Sequence, residues 1–98
     1  MGLDGHIASL IPNTENLENA IYNNKDCFYL MRNKSSLSQR ISLSLSAINK
    51  SHSKILFIRG HKKINILKQS VSKEASIISP VSFLKDSNLN VYWCPDGK

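Results

Sequence analysis

Apolar and polar positions change period several times along the chain, and each change predicts an element. The run Cys27–Met31 ("CFYLM") is compact and apolar, follows the turn-prone "YNNKD", and predicts a strand. In "RISLSLSAI", Ile41, Leu43 and Leu45 alternate with Ser42, Ser44 and Ser46. That period of two predicts a strand with one face more deeply buried. A short helix over residues 46–50 follows it. The segment "KILFIRG" carries four consecutive apolar residues, Ile55 to Ile58, which suits a central strand of a parallel sheet covered on both faces and ended by Gly60.

After Gly60 the spacing lengthens. Ile64, Leu67 and Val71 recur at i, i+3 and i+7, the stripe of a helix over residues 62–72. Pro80 opens a short helix or turn through Leu84, "DSNLN" breaks the chain, and "VYWC" (Val91–Cys94) predicts a last strand. Strands alternating with helices indicate an α/β fold, a mostly parallel, Rossmann-like sheet with flanking helices. No internal repeat or long linker interrupts it.

The length of 98 residues and the 41% apolar content fit one small domain with a single core and little surplus stability. No basic start precedes a sustained apolar run, and no stretch reaches the roughly 20 apolar residues that span a bilayer. The expectation is a cytoplasmic protein without a membrane partner. A formal charge of +6 raises the prospect of a polyanionic partner. However, Lys25, Arg32, Lys34, Lys50, Lys54, Lys73 and Lys85 are scattered, and no basic stripe alternates with aromatics. A solvated basic surface is expected, with no nucleic acid bound; only Arg59–Lys63 ("RGHKK") is dense enough for a local anion site. Cys27 and Cys94 lack metal-ligand spacing and are expected to be buried structural thiols, with no disulfide, no metal and no cofactor.

The most chemical stretch is the first, "MGLDGHIASLIP". In open α/β sheets a ligand lies beyond the carboxyl ends of the strands, so a Gly-flanked Asp4-Gly5-His6 turn should follow a strand that delivers it. No such strand lies upstream. The expectation is that Met1 is internal to a longer sequence and that residues 1–98 are the C-terminal part of one domain, with the missing N-terminal half as its partner.

These residues resemble the 6-phosphogluconolactonase family of the glucosamine-6-phosphate isomerase/6-phosphogluconolactonase superfamily, in which Gly-x-Asp-Gly-His-x-Ala-Ser-Leu-Phe-Pro follows a buried strand. "RISLSLSAIN" is similar to the family's Arg-Ile-Thr-Leu-Thr segment and the short helix after it. "ILFIRGHKKINIL" is similar to its strand-Gly-x-x-Lys-helix unit, and "SPVSFLKDSNLNVYWCP" to its closing turn and Trp-bearing strand. Ile11 stands where the family usually has Phe, and Ser42 where it has Thr. The family's Gly-rich sugar-phosphate loop and Asp-Glu-Arg segment are not in this sequence. The resemblance implies hydrolysis of 6-phosphoglucono-1,5-lactone to 6-phosphogluconate in the pentose phosphate pathway, with a small-molecule sugar-phosphate lactone as substrate.

Hydrolysis of a δ-lactone needs a base for water, a means of stabilising the oxyanion, and a clamp on the phosphorylated sugar. His6 is the candidate base, because an imidazole accepts a proton near neutral pH. Asp4, two residues away, would orient the ring or fix its tautomer, and Gly5 belongs to the substrate-contacting turn. Lys63 sits at a predicted helix start, where free backbone N–H groups favour an anion. The resemblance also implies that the Lys of Gly-x-x-Lys contacts the phosphate. Arg40, at the head of its strand, is the candidate second phosphate contact. Arg59, His61, Lys62 and His52 read as surface residues.

Two rival readings remain at this point. The glucosamine-6-phosphate deaminase group has the same turn, but follows it with Ala-Phe-Asn-Glu-Pro, whose Glu assists ring opening. Here Ala8-Ser9-Leu10-Ile11-Pro12 carries no carboxylate. The other rival is a non-catalytic product of a truncated or split gene.

Overall fold

The computed structural model of the chain describes residues 1–36, 38–72, 74–85 and 87–96. Lys73, one of the scattered basic residues, and Asp86, in the break before the last strand, lie outside the described residues. Strands β1 (Thr14–Glu15), β2 (Phe28–Asn33) and β3 (Gln39–Leu43) pair antiparallel in that order, and β4 (Lys54–Arg59) pairs in parallel with β5 (Leu89–Cys94). Helices α1 (Leu17–Tyr22), α2 (Leu45–Asn49) and α3 (His61–Val71) and a 3-10 turn at Pro80–Phe83 complete the order.

The α/β class holds, but the expected mostly parallel sheet does not describe these strands. The connection from β2 to β3 spans only residues 34–38. A parallel crossover needs a dozen or more residues, so this one folds back as an antiparallel pair. The β4–β5 connection carries α3 and the 3-10 turn and is long enough to be parallel. Neither α1 nor β1 was anticipated; α1 exists because Leu17, Ala20 and Ile21 share one helical face and are buried together.

The core joins Leu10, Ala20, Met31, Leu45, Ile58 and Val81. Around it, one open orientation is decided and two expected ones are corrected. At the end of β3 the serines turn inward: Ser42 on the strand and Ser44 just after it are buried, whereas Ile41 is 73% exposed. Both serines are bonded, Ser42 Oγ accepting from the Ser9 amide (3.1 Å) and Ser44 Oγ capping α2 through the Ala47 amide (3.1 Å). On β4 only one face is covered; Leu56 and Ile58 are buried while Ile55 and Phe57 face outward. On α3, Ile64 and Leu67 pack against the core, but Val71 is exposed and Ser70 takes the buried position, its hydroxyl donating to the Ile66 carbonyl (2.8 Å).

The cysteines are also corrected, since Cys27 and Cys94 are free and exposed. Cys94 ends β5, whose side chains from Asn90 onward are exposed. Among the described residues no helix is long and apolar enough to cross a membrane.

Candidate active site

The loop at residues 2–10 is closed by its own backbone. The Gly2 amide donates to the His6 carbonyl (2.9 Å), and the Gly5 amide donates to the Gly2 carbonyl (3.0 Å). Gly5 has φ 81°, in the left-handed region that glycine adopts without a Cβ clash, and a Cβ there would collide with the Ser79 hydroxyl. From behind, the Val81 amide donates to the Gly5 carbonyl (2.8 Å). Ile7 and Leu10, both buried, anchor the far side, and the Ser9–Ser42 bond ties the loop to β3.

Within this loop, Asp4 Oδ1 receives the His6 backbone amide at 3.0 Å and lies 2.6 Å from the ring Nδ1. Burial pushes the Asp4 carboxyl upward, but the backbone and side-chain hydrogen bonds from His6 and its charge outweigh that and hold it below its ordinary value. Asp4 is therefore a carboxylate at neutral pH, and a carboxylate only accepts. In the neutral imidazole the proton then sits on Nδ1, and the Nε2 lone pair is free. The His6 side chain is 33% exposed.

Lys63 lies in the first turn of α3, capped by Gly60 at φ 93°. The end of β5 fixes this turn: the Gly60 amide donates to the Cys94 carbonyl (2.9 Å) and the Trp93 indole N–H donates to the Gly60 carbonyl (2.9 Å). The His61 ring meets Trp93 edge-on at 5.4 Å, so His61 is exposed but packed. The Met1 amino group is lowered from its ordinary value first by burial and then by the Lys63 ammonium. Helix α3 reaches the loop again through the Ser70 and Ser79 hydroxyls, 3.1 Å apart.

The structure thus brings Asp4, Gly5 and His6 together in one turn and places Lys63 in the first turn of α3. Arg40 is exposed and lines a small cleft of about 120 Å³ with Ile11, Thr14 and Met31. Two clefts of about 450 Å³ are lined by neither His6 nor Lys63, although Ile7 and Ala8 of the loop line one of them. Arg59, Lys62 and His52 are exposed. Ser42 and Ser79, which support the loop, were not anticipated as site residues. The period of two at residues 40–46 was the available signal for Ser42; Ser79 had none.

The profile of the family described as glucosamine-6-phosphate isomerases/6-phosphogluconolactonase matches residues 1–93. The chain belongs to this family. It is 29% identical over 103 aligned residues to a 6-phosphogluconolactonase of Xylella fastidiosa, covering 96% of this chain and 42% of the relative. It is 30% identical over 97 residues to a 6-phosphogluconolactonase of Pseudomonas putida, covering 97% and 40%. The crystal structure of a 6-phosphogluconolactonase from Shewanella baltica superposes with a TM-score of 0.82 at 27% identity, covering 95% of this chain and 41% of that one. The chain therefore spans about 40% of the length of the curated relatives it matches.

Proposed function

We propose that residues 1–98 are the C-terminal part of a 6-phosphogluconolactonase domain and carry its catalytic base and phosphate clamp. The observation that carries this reading is the Asp4–His6 pair, which leaves Nε2 unprotonated in a loop fixed on both sides. A water held at Nε2 gives up its proton as its oxygen adds to the lactone carbonyl. The resulting alkoxide collapses, the bond to the ring oxygen breaks, and the imidazolium returns the proton to that oxygen. The product is the open-chain 6-phosphogluconate. Asp4 stabilises the imidazolium formed in between and keeps the ring in one orientation. Gly5 contacts the substrate from the turn, Lys63 holds the phosphate at the start of α3, and Arg40 supplies a second phosphate contact.

The remaining part of the fold is a polypeptide partner in this reading. The outward Ile41, Leu43, Ile55 and Phe57 support it, because apolar sheet faces of this extent are ordinarily covered. With that part in place, β4 and β5 belong to a larger, mostly parallel, Rossmann-like sheet. The reaction belongs to cytoplasmic carbohydrate metabolism. Deamination of glucosamine 6-phosphate is disfavoured because Ala8–Pro12 has no carboxylate to assist ring opening.

The test joins the full chain to the complementary part of the Pseudomonas putida relative and offers the chimera fresh 6-phosphogluconolactone and glucosamine 6-phosphate separately. Lactone hydrolysis above the uncatalysed rate without ammonia release supports the reading. Ammonia release from the amino sugar, or no hydrolysis by a folded chimera, contradicts it.

A further inference from the structure

We propose that Gly2 is a positioning residue: its missing side chain is the space in which the His6 ring meets Asp4. The backbone does not explain a glycine here, since the left-handed glycines among the described residues are Gly5 and Gly60. The space does. A Cβ on Gly2 would overlap both Cε1 and Nδ1 of His6 and would stand 2.9 Å from Asp4 Oδ1. Those atoms include both partners of the 2.6 Å bond that fixes the tautomer. Real Cβ atoms do not approach other heavy atoms so closely, so a methyl group there has to displace the ring, the carboxylate, or both.

The two halves of Gly2 thus have separate tasks. Its amide and carbonyl hold the loop closed through His6 and Gly5, and any residue keeps those bonds. Its empty side-chain position sets where the imidazole lies, and only glycine provides that. Gly5 is the contrasting case: its obstruction includes the Ser79 backbone Cα at 3.3 Å and its φ is left-handed, so a side chain there strains the backbone rather than the pair. Gly5→Ala is accordingly a folding lesion, and Gly2→Ala a lesion of ring position.

The proposal rests on His6 as the base for its kinetic consequence, but not for its geometric one. Misplacing a catalytic group by about 1 Å costs on the order of 100-fold in rate. The full chain is joined to the complementary part of the Pseudomonas putida relative and compared with its Gly2→Ala, His6→Ala and doubly substituted forms. Gly2→Ala should lower kcat by roughly 30- to 100-fold with KM changed less than about threefold. The Asp4 carboxyl, followed by carbon-13 NMR, should titrate higher than in the parent as the ring bond is lost. Gly2→Ala should lower the thermal midpoint several times more when His6 is present than when His6 is Ala, because the ring is gone and only the 2.9 Å approach to Asp4 Oδ1 remains. If Gly2→Ala alone fails to fold, rescue by His6→Ala supports the proposal, and no rescue overturns it. Equal thermal losses in both backgrounds, or an unmoved Asp4 titration, overturn it even in an inactive chimera. A loss of lactonase activity common to all forms counts against the lactonase reading alone.

Discussion

One oxygen of Asp4 accepts both the backbone amide and the ring Nδ1 of His6, at 3.0 and 2.6 Å, so a single carboxylate fixes the loop and the tautomer together. This makes Asp4 a source of pH-dependent stability. Its carboxyl titrates lower in the folded chain than in the unfolded one. A depressed carboxyl stabilises the fold above its unfolded value and loses that contribution as the pH falls through the folded value. The thermal midpoint of the chimera should exceed that of its Asp4→Asn form by a constant margin at neutral pH, and the margin should close as the pH falls below about 4. Because the Asp4 side chain is 46% exposed, solvent screening keeps the margin below about 1 kcal/mol. A margin that persists undiminished well below pH 4 contradicts the assignment.

Lys63 should separate binding from chemistry. Lys63→Ala removes one charge-assisted contact of about 1.5–3 kcal/mol to the phosphate. It should raise KM for 6-phosphogluconolactone while leaving hydrolysis of unphosphorylated gluconolactone almost unchanged. Equal losses on the two substrates would assign Lys63 to holding the start of α3.

Ser42 gives a prediction opposite to the one its sequence pattern suggests. Read as the outer face of a strand, Ser42→Ala would be harmless. In the fold, Ser42 is 2% exposed and accepts the Ser9 amide, so removing the hydroxyl leaves a part-buried donor without its partner. The chimera should lose about 1–3 kcal/mol of stability, measured by denaturant unfolding, and a loss below about 0.3 kcal/mol would show that water replaces the bond.

That case shows what the sequence carried and what it did not. Alternation along residues 40–46 marks two faces but not which one turns inward; the Ser9–Ser42 bond and the Ser44 cap decide it. The long helical stripe of α3, the turn at Gly60 and the strand around Leu56 were legible because their periods are strong and their ends carry Gly. Helix α1 was missed because Leu17, Ala20 and Ile21 form only a six-residue stripe flanked by Asn16 and Asn23, which read as turn residues. The Asp4–His6 pair was legible as a motif. The support from Ser79 was not, since it depends on how α3 and the 3-10 turn pack behind the loop.

The outward apolar side chains make the chain alone a poor domain. Ile41, Ile55 and Phe57 are 66–76% exposed, and β4 has a partner on one edge only among the described strands. A domain of this size has only a few kcal/mol of stability. Purified by itself, it should bind a hydrophobic dye, associate as concentration rises, and melt without a sharp transition. A monomer with a cooperative transition and no dye binding would show that these faces need no cover.

The most direct test of the account is the rate on fresh 6-phosphogluconolactone, corrected for spontaneous hydrolysis, of the chimera carrying residues 1–98 and of its His6→Ala form. If His6 is the base, the parent hydrolyses the lactone and the His6→Ala form loses roughly 100-fold or more in kcat while keeping its thermal midpoint within a few degrees. Near-normal turnover in the His6→Ala form would contradict the claim that this chain carries the catalytic base.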